Sequence, residues 1–203
     1  MYKTLLLFIF FLFCQQVKAD TAISTSTVTV VGPREWRPKI TAEEALQLAK
    51  TYIQEKSIDI SSYYLSVIKM DASWKMVGSY KKVDQQFWTL FWVKPTADIE
   101  ESLAIAVPMD GTKVRQADVT EDLAMKGHLS KAPAITLERA LQLANEYIHT
   151  EKLDMSAFFL YQVTFVASRD GWWVWWTNVN GGCGNYIEID VSMDGKVRRR
   201  CSM

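Results

Sequence analysis

Few residues in this chain have the type and spacing that chemistry demands. Cys183 sits in a glycine-rich loop, Gly181-Gly182-Cys183-Gly184, a few residues after Trp172, Trp173, Trp175 and Trp176. A thiol there would act as a nucleophile only if a histidine deprotonated and oriented it. The two histidines are His128, in a linker-like stretch, and His149, near the end of a predicted helix, and neither is well placed for that task. The competing chemistry is a disulfide between Cys183 and Cys201, the pair left if an N-terminal segment carrying Cys14 is removed. An even count in an exported chain favours the bond. A tight turn at Asp194-Gly195 would set Cys201 opposite a residue near Glu188, so the Cys183 loop would have to curl back to reach it.

Other reactive patterns are missing from the sequence. It has no HExxH, CxxC, P-loop or dinucleotide glycine fingerprint, and two histidines make a poor zinc site without carboxylate help. The carboxylates fall mostly at caps and turns: Asp110 and Asp194 in Asp-Gly hairpin turns, Asp59 and Asp154 after each predicted helix. No catalytic, metal-binding or cofactor-binding residue is assigned, and the expected function is binding without catalysis. The candidate binding residues are the tryptophans. On a strand, Trp173 and Trp175 point one way and Trp172 and Trp176 the other. One pair meets a covering helix. The outward pair is covered by packing within the chain, or meets a partner, or stacks on a sugar; large aromatics are enriched at interfaces. The sequence leaves open which pair is outward.

The elements that position these residues begin after residue 19. Lys3, the apolar run LLLFIFFLF and the Val17-Lys18-Ala19 site describe a secretory signal peptide over 1–19. A lipoprotein anchored at Cys14 is disfavoured by Phe13, where a small residue is needed, and an uncleaved anchor by the shortness of the run. Cleavage after Ala19 implies a periplasmic or secreted protein, with nothing beyond it apolar for long enough to span a bilayer. It removes two lysines, leaving 21 basic residues against 23 acidic ones, a formal charge of −2. No global field then draws the chain to nucleic acid. The local basic run Lys196–Arg200 reads as a charged edge strand.

An internal repeat fixes the organisation. ITAEEALQLAKTYIQEKSIDISSYYL from Ile40 aligns with ITLERALQLANEYIHTEKLDMSAFFL from Ile135 at an offset of 95. Beyond that, FW at 91–92 aligns with WW at 175–176, and Met109-Asp110-Gly111 with Met193-Asp194-Gly195, at an offset of 84. The first copy therefore holds about 11 extra residues, around 72–82, which read as a longer hairpin loop. Each copy opens with a helix. Thr41 and Glu44 form a capping box, whereas Thr136 is followed by Arg139, a weaker cap. Apolar positions at helical spacing mark one buried face on each helix. Strands are predicted at about 63–70, 87–93 and 103–108, matched by about 158–167, 172–179 and 186–191, each set closed by a short strand after the Asp-Gly turn.

The openings ITAEEALQLA and ITLERALQLA, the aromatic strands FWTLFW and WWVWW, and the closings MDGTKV and MDGKV resemble the PepSY family. The resemblance covers most of 39–118 and 134–203. It implies an α+β fold of two tandem modules, each a helix packed on a curved antiparallel sheet as in cystatins, joined by a linker at 119–133. The segment at 20–38 is a flexible tail or an added strand. The resemblance also implies an inhibitory or chaperoning role, so the expected partner is a protein, such as a secreted or cell-envelope peptidase. An envelope accessory module binding protein, peptide or glycan is the alternative. No functional residues carry over from the family.

Overall fold

The structure, a computed structural model, describes residues 37–77, 80–95, 102–118, 132–180 and 185–200, and of 74–77 and 80–83 the backbone alone. The expected signal peptide, nearly all of the 20–38 segment, most of the 119–133 linker, Cys183 and Cys201 lie outside the described residues. Helix α1 (Ala42–Glu55) is followed by strands β1 (Tyr64–Val77), β2 (Tyr80–Val93), β3 (Leu103–Pro108) and β4 (Arg115–Ala117). The order then repeats as α2 (Leu137–Thr150), β5 (Phe158–Val166), β6 (Gly171–Asn178), β7 (Tyr186–Ser192) and β8 (Val197–Arg199). The fold is α+β. All eight strands join one antiparallel sheet in the order β4-β3-β2-β1-β5-β6-β7-β8. Among the described residues no helix is long and apolar enough to cross a membrane.

The helices start where their caps dictate. Thr41 Oγ1 accepts from the Glu44 N–H at 3.1 Å and Glu44 Oε2 accepts from the Thr41 N–H at 2.7 Å, a complete capping box. Thr136 accepts from the Arg139 N–H at 3.3 Å without a return bond. Ala45, Ala49 and Ile53 of α1, like Ala140, Ala144 and Ile148 of α2, are buried against the same face of the sheet, in one core with Trp88, Leu90, Trp92, Trp172, Val174 and Trp176. Small alanines let each helix approach the strands closely enough for an indole to reach past it. Trp88 Nε1 donates to the Ile40 carbonyl at 3.0 Å, and Trp172 Nε1 to the Ile135 carbonyl at 2.7 Å. The same bond thus holds the entry to each helix.

The halves join edge to edge. β1 pairs with β5 over three residues, with Ile68 opposite Val163. These two are repeat counterparts, because 163 less 68 is 95. Antiparallel pairing of equivalent strands about this point creates a local two-fold axis perpendicular to the sheet. The bulges at Ser66 and Tyr161, also 95 apart, obey the same symmetry. So do the helices, which run antiparallel on one face, with Lys50 late in α1 bonded to Glu138 early in α2.

One expectation is corrected. The extra residues of the first half do not form a loop. β1 and β2 keep pairing down to Val77 opposite Tyr80, so the insertion lengthens a two-stranded ribbon. Continued pairing satisfies backbone donors and acceptors that a loop would leave to water.

Candidate functional site

β6 carries the aromatic run. Trp172, Val174 and Trp176 face the helices and are 1%, 0% and 6% exposed. Trp173 and Trp175 face away and are half-buried. Gly171 opens the strand opposite Ser192, and a side chain there would come within 2.9 Å of the Val191 carbonyl oxygen. Glycine is what lets β6 close on β7 at this point.

The outward indoles stack, with centroids 5.4 Å apart and planes 13° from parallel. Tyr161, the bulged residue of β5, meets Trp175 edge-on at 4.7 Å, and Tyr186 meets it at 6.1 Å. Burial, with Asp71 nearby, raises the Tyr161 phenol above its ordinary pKa. Strand register adds a charged row beside the aromatics. Trp173 lies opposite Asp190 and Trp175 opposite Glu188. Arg198 pairs with Asp190 at 3.1 Å, and Arg200 reaches Asp190 at 3.3 Å and Glu188 at 3.4 Å. On the other flank lie Gln162 and Thr164, both buried.

Three polar atoms of this array, Trp173 Nε1, Trp175 Nε1 and Thr164 Oγ1, are buried without a hydrogen-bond partner. An unsatisfied buried polar group costs about 1–3 kcal/mol. What the outer face offers a partner is therefore the stacked, half-buried rings themselves.

The first half lacks this array. At the 84-residue offset, Thr89 and Phe91 replace Trp173 and Trp175, and Ala104 and Ala106 replace Glu188 and Asp190. Val67, Phe91, Val93 and Ala104 form a second apolar cluster on this outer face, one without a helix residue.

The four tryptophans singled out from the sequence therefore divide. Trp172 and Trp176 are core, and Trp173 and Trp175 form the half-buried candidate surface on the outer face; the N-terminal tail expected as one possible cover for it lies almost wholly outside the described residues. Sequence reasoning missed Tyr161, Tyr186, Glu188 and Asp190 as its neighbours. A signal was present in YIEID, where alternation puts Ile187 and Ile189 inward and the polar residues outward. The basic run forms the edge strand β8, as its charges suggested. The repeated aspartates act in turns. Asp59 accepts from the Ser61 N–H and Asp154 from the Ser156 N–H, each at 2.9 Å. Asp110 accepts from the Thr112 N–H at 2.9 Å, and Asp194 binds Lys196 Nζ at 2.6 Å. These bonds hold all four carboxyls below their ordinary pKa. His149 is exposed on the last turn of α2. Among the described residues no group of three or more His, Cys, Asp or Glu is placed to hold a metal ion. Comparison with protein-family models, curated proteins and solved structures finds no match.

Proposed function

We propose that this chain is an exported, non-enzymatic binding protein of two tandem PepSY-like modules, fused through one sheet, that inhibits or modulates a secreted or cell-envelope enzyme such as a peptidase. The observation that carries the reading is the outward Trp173–Trp175 pair, stacked, with buried and unpaired indole N–H groups beside Asp190 and Glu188. Aromatic anchors in a charged surround are the composition of binding hot spots. A partner loop laid across β6 would pack on the stacked indole rings. The twice-repeated order of helix and four strands supports the modular reading. Export brings the Cys183–Cys201 disulfide with it, and unreduced protein should then be lighter by two hydrogens than reduced protein.

The stacked indoles flanked by carboxylates also favour a second reading, an envelope accessory module that binds peptide or glycan, since a pyranose face stacks on indole while its hydroxyls meet Asp and Glu. Capture from envelope extract on wild-type protein and on Trp173→Ala/Trp175→Ala protein tests the first reading. A peptidase retained by the wild type alone, and slowed when the protein is added to it, is the expected result. Equal retention on both proteins removes the tryptophan surface from the account. Glycan-array signal with no captured enzyme transfers the surface to the second reading.

A further inference from the structure

The opposite face of the molecule holds a separate feature. Between α1 and α2 runs a groove of about 400 Å³, with Leu46, Ile68, Leu137 and Leu141 as its apolar lining and Glu43 and Asn145 among its polar residues. This is within the size range of small-ligand clefts, roughly 300–1,000 Å³. The two-fold axis passes between Ile68 and Val163, so it exchanges Lys50 with Asn145 and Glu43 with Glu138, each 95 residues apart. The exchange exposes a broken symmetry. On one side Lys50 Nζ pairs with Glu138 Oε1 at 3.1 Å. On the other, Asn145 stands where the lysine should be, and Glu43 has no ion pair among the described residues. Glu146 nearby is already held by Arg139 at 3.4 Å and Gln142 at 2.9 Å. Both Glu43 and Glu138 lie in the first turn of a helix, where the dipole favours an acid, yet only Glu138 also has a cation.

We propose that this groove is a second binding site, for a basic segment of a partner protein. An apolar side chain of the segment rests on Ile68, Leu46 and Leu141, and a neighbouring lysine or arginine pairs with Glu43, in the position that Lys50 takes towards Glu138. An apolar floor with one uncompensated carboxylate at its rim selects for this combination of charge and hydrophobicity, and disfavours an acidic segment by repulsion from Glu43.

The test uses an acetylated, amidated heptapeptide of alternating lysine and leucine, titrated against the whole protein, with a glutamate–leucine peptide as its counterpart. The basic peptide should bind saturably and the acidic one should not. Glu43→Gln should weaken binding about fivefold, the size of one exposed charge pair. Asn145→Lys should weaken it by at least as much, because the new lysine pairs with Glu43 and repels the basic peptide. Asn145 is exposed, so this variant should keep the wild-type denaturation midpoint, and weakened binding then reports the site and not the fold. Undiminished binding to Asn145→Lys, or equal binding of both peptides, overturns the proposal. Trp173→Ala should leave the titration unchanged. If that variant loses the peptide, the peptide sits on the outer face, and the groove proposal fails while the tryptophan surface stands.

Discussion

The two halves share a sheet, a helix and a core, and differ where they face outward. Residues that repeat are those that build. Trp88 and Trp172 make the same bond to a helix-entry carbonyl. Ser57 and Lys152 share a φ of 52° after each helix, and Asp59 and Asp154 tie the same turn. Among the residues that do not repeat are those of the two candidate sites. On the outer face, Thr89, Phe91, Ala104 and Ala106 give way to Trp173, Trp175, Glu188 and Asp190. Between the helices, Lys50 gives way to Asn145. A duplicated scaffold thus supplies its own comparison: Trp88 and Trp172, kept in both copies, serve the fold, whereas Trp173 and Trp175 have no such counterpart.

Substitutions made in matching pairs can break this comparison. The largest loss is expected from Trp88→Ala and Trp172→Ala, about 3–5 kcal/mol each, since both are buried large-to-small changes that also strand a carbonyl. Denaturant midpoints should fall alike, and a loss confined to one half would end the equivalence. On the outer face the halves should diverge. Phe91 is 0% exposed, so Phe91→Ala should cost about 3 kcal/mol or more. Trp175 is half-buried and stacked, so Trp175→Ala should cost about 1–2 kcal/mol while removing the proposed partner contact. Thr41→Ala should cost about 1 kcal/mol, and Thr136→Ala less, because its cap lacks the return bond.

The smallest effect concerns pH. Asp110 and Asp194 have folded pKa values below the ordinary 3.8. Their contribution is therefore full above that value and is lost as pH falls through the folded pKa. Midpoints followed from about pH 5 to about pH 2 should drop less in Asp194→Asn than in Asp110→Asn relative to their own values at pH 5, because Asp194 is the more strongly lowered of the two.

Much of the fold was legible because its signals are local. Capping residues, helical spacing and Asp-Gly turns act within a few positions, and the strand predicted at 103–108 is β3 to the residue. The seam between β1 and β5 was not legible. It joins Val67-Ile68-Lys69 to Gln162-Val163-Thr164, and no turn residue announces a pairing between strands so far apart in the chain. The inward tryptophan pair was hidden for a different reason: WWVWW is apolar on both faces, so period-2 alternation carries no contrast. The contrast lay one strand away, in β7, and became usable only with the β6–β7 register. Asn145 reads as an ordinary helix-surface residue until the axis between Ile68 and Val163 relates it to Lys50.

That seam also decides how the chain assembles in time. All other strand pairs join neighbours in sequence, so each meander can zip from its own turn. β1 and β5 must close a span of 95 residues between Ile68 and Val163, and they do so through only three residue pairs. Long-range pairing of this kind is slow, because chain entropy is lost before the contacts form. Amide exchange should accordingly be faster at 67–69 and 162–164 than in the flanking hairpins. A half-folded chain meanwhile presents the open edge of β1 to solution. If a second copy offers its β5 first, the seam closes between molecules, and the product is a domain-swapped dimer that keeps the intramolecular pairing pattern of the monomer.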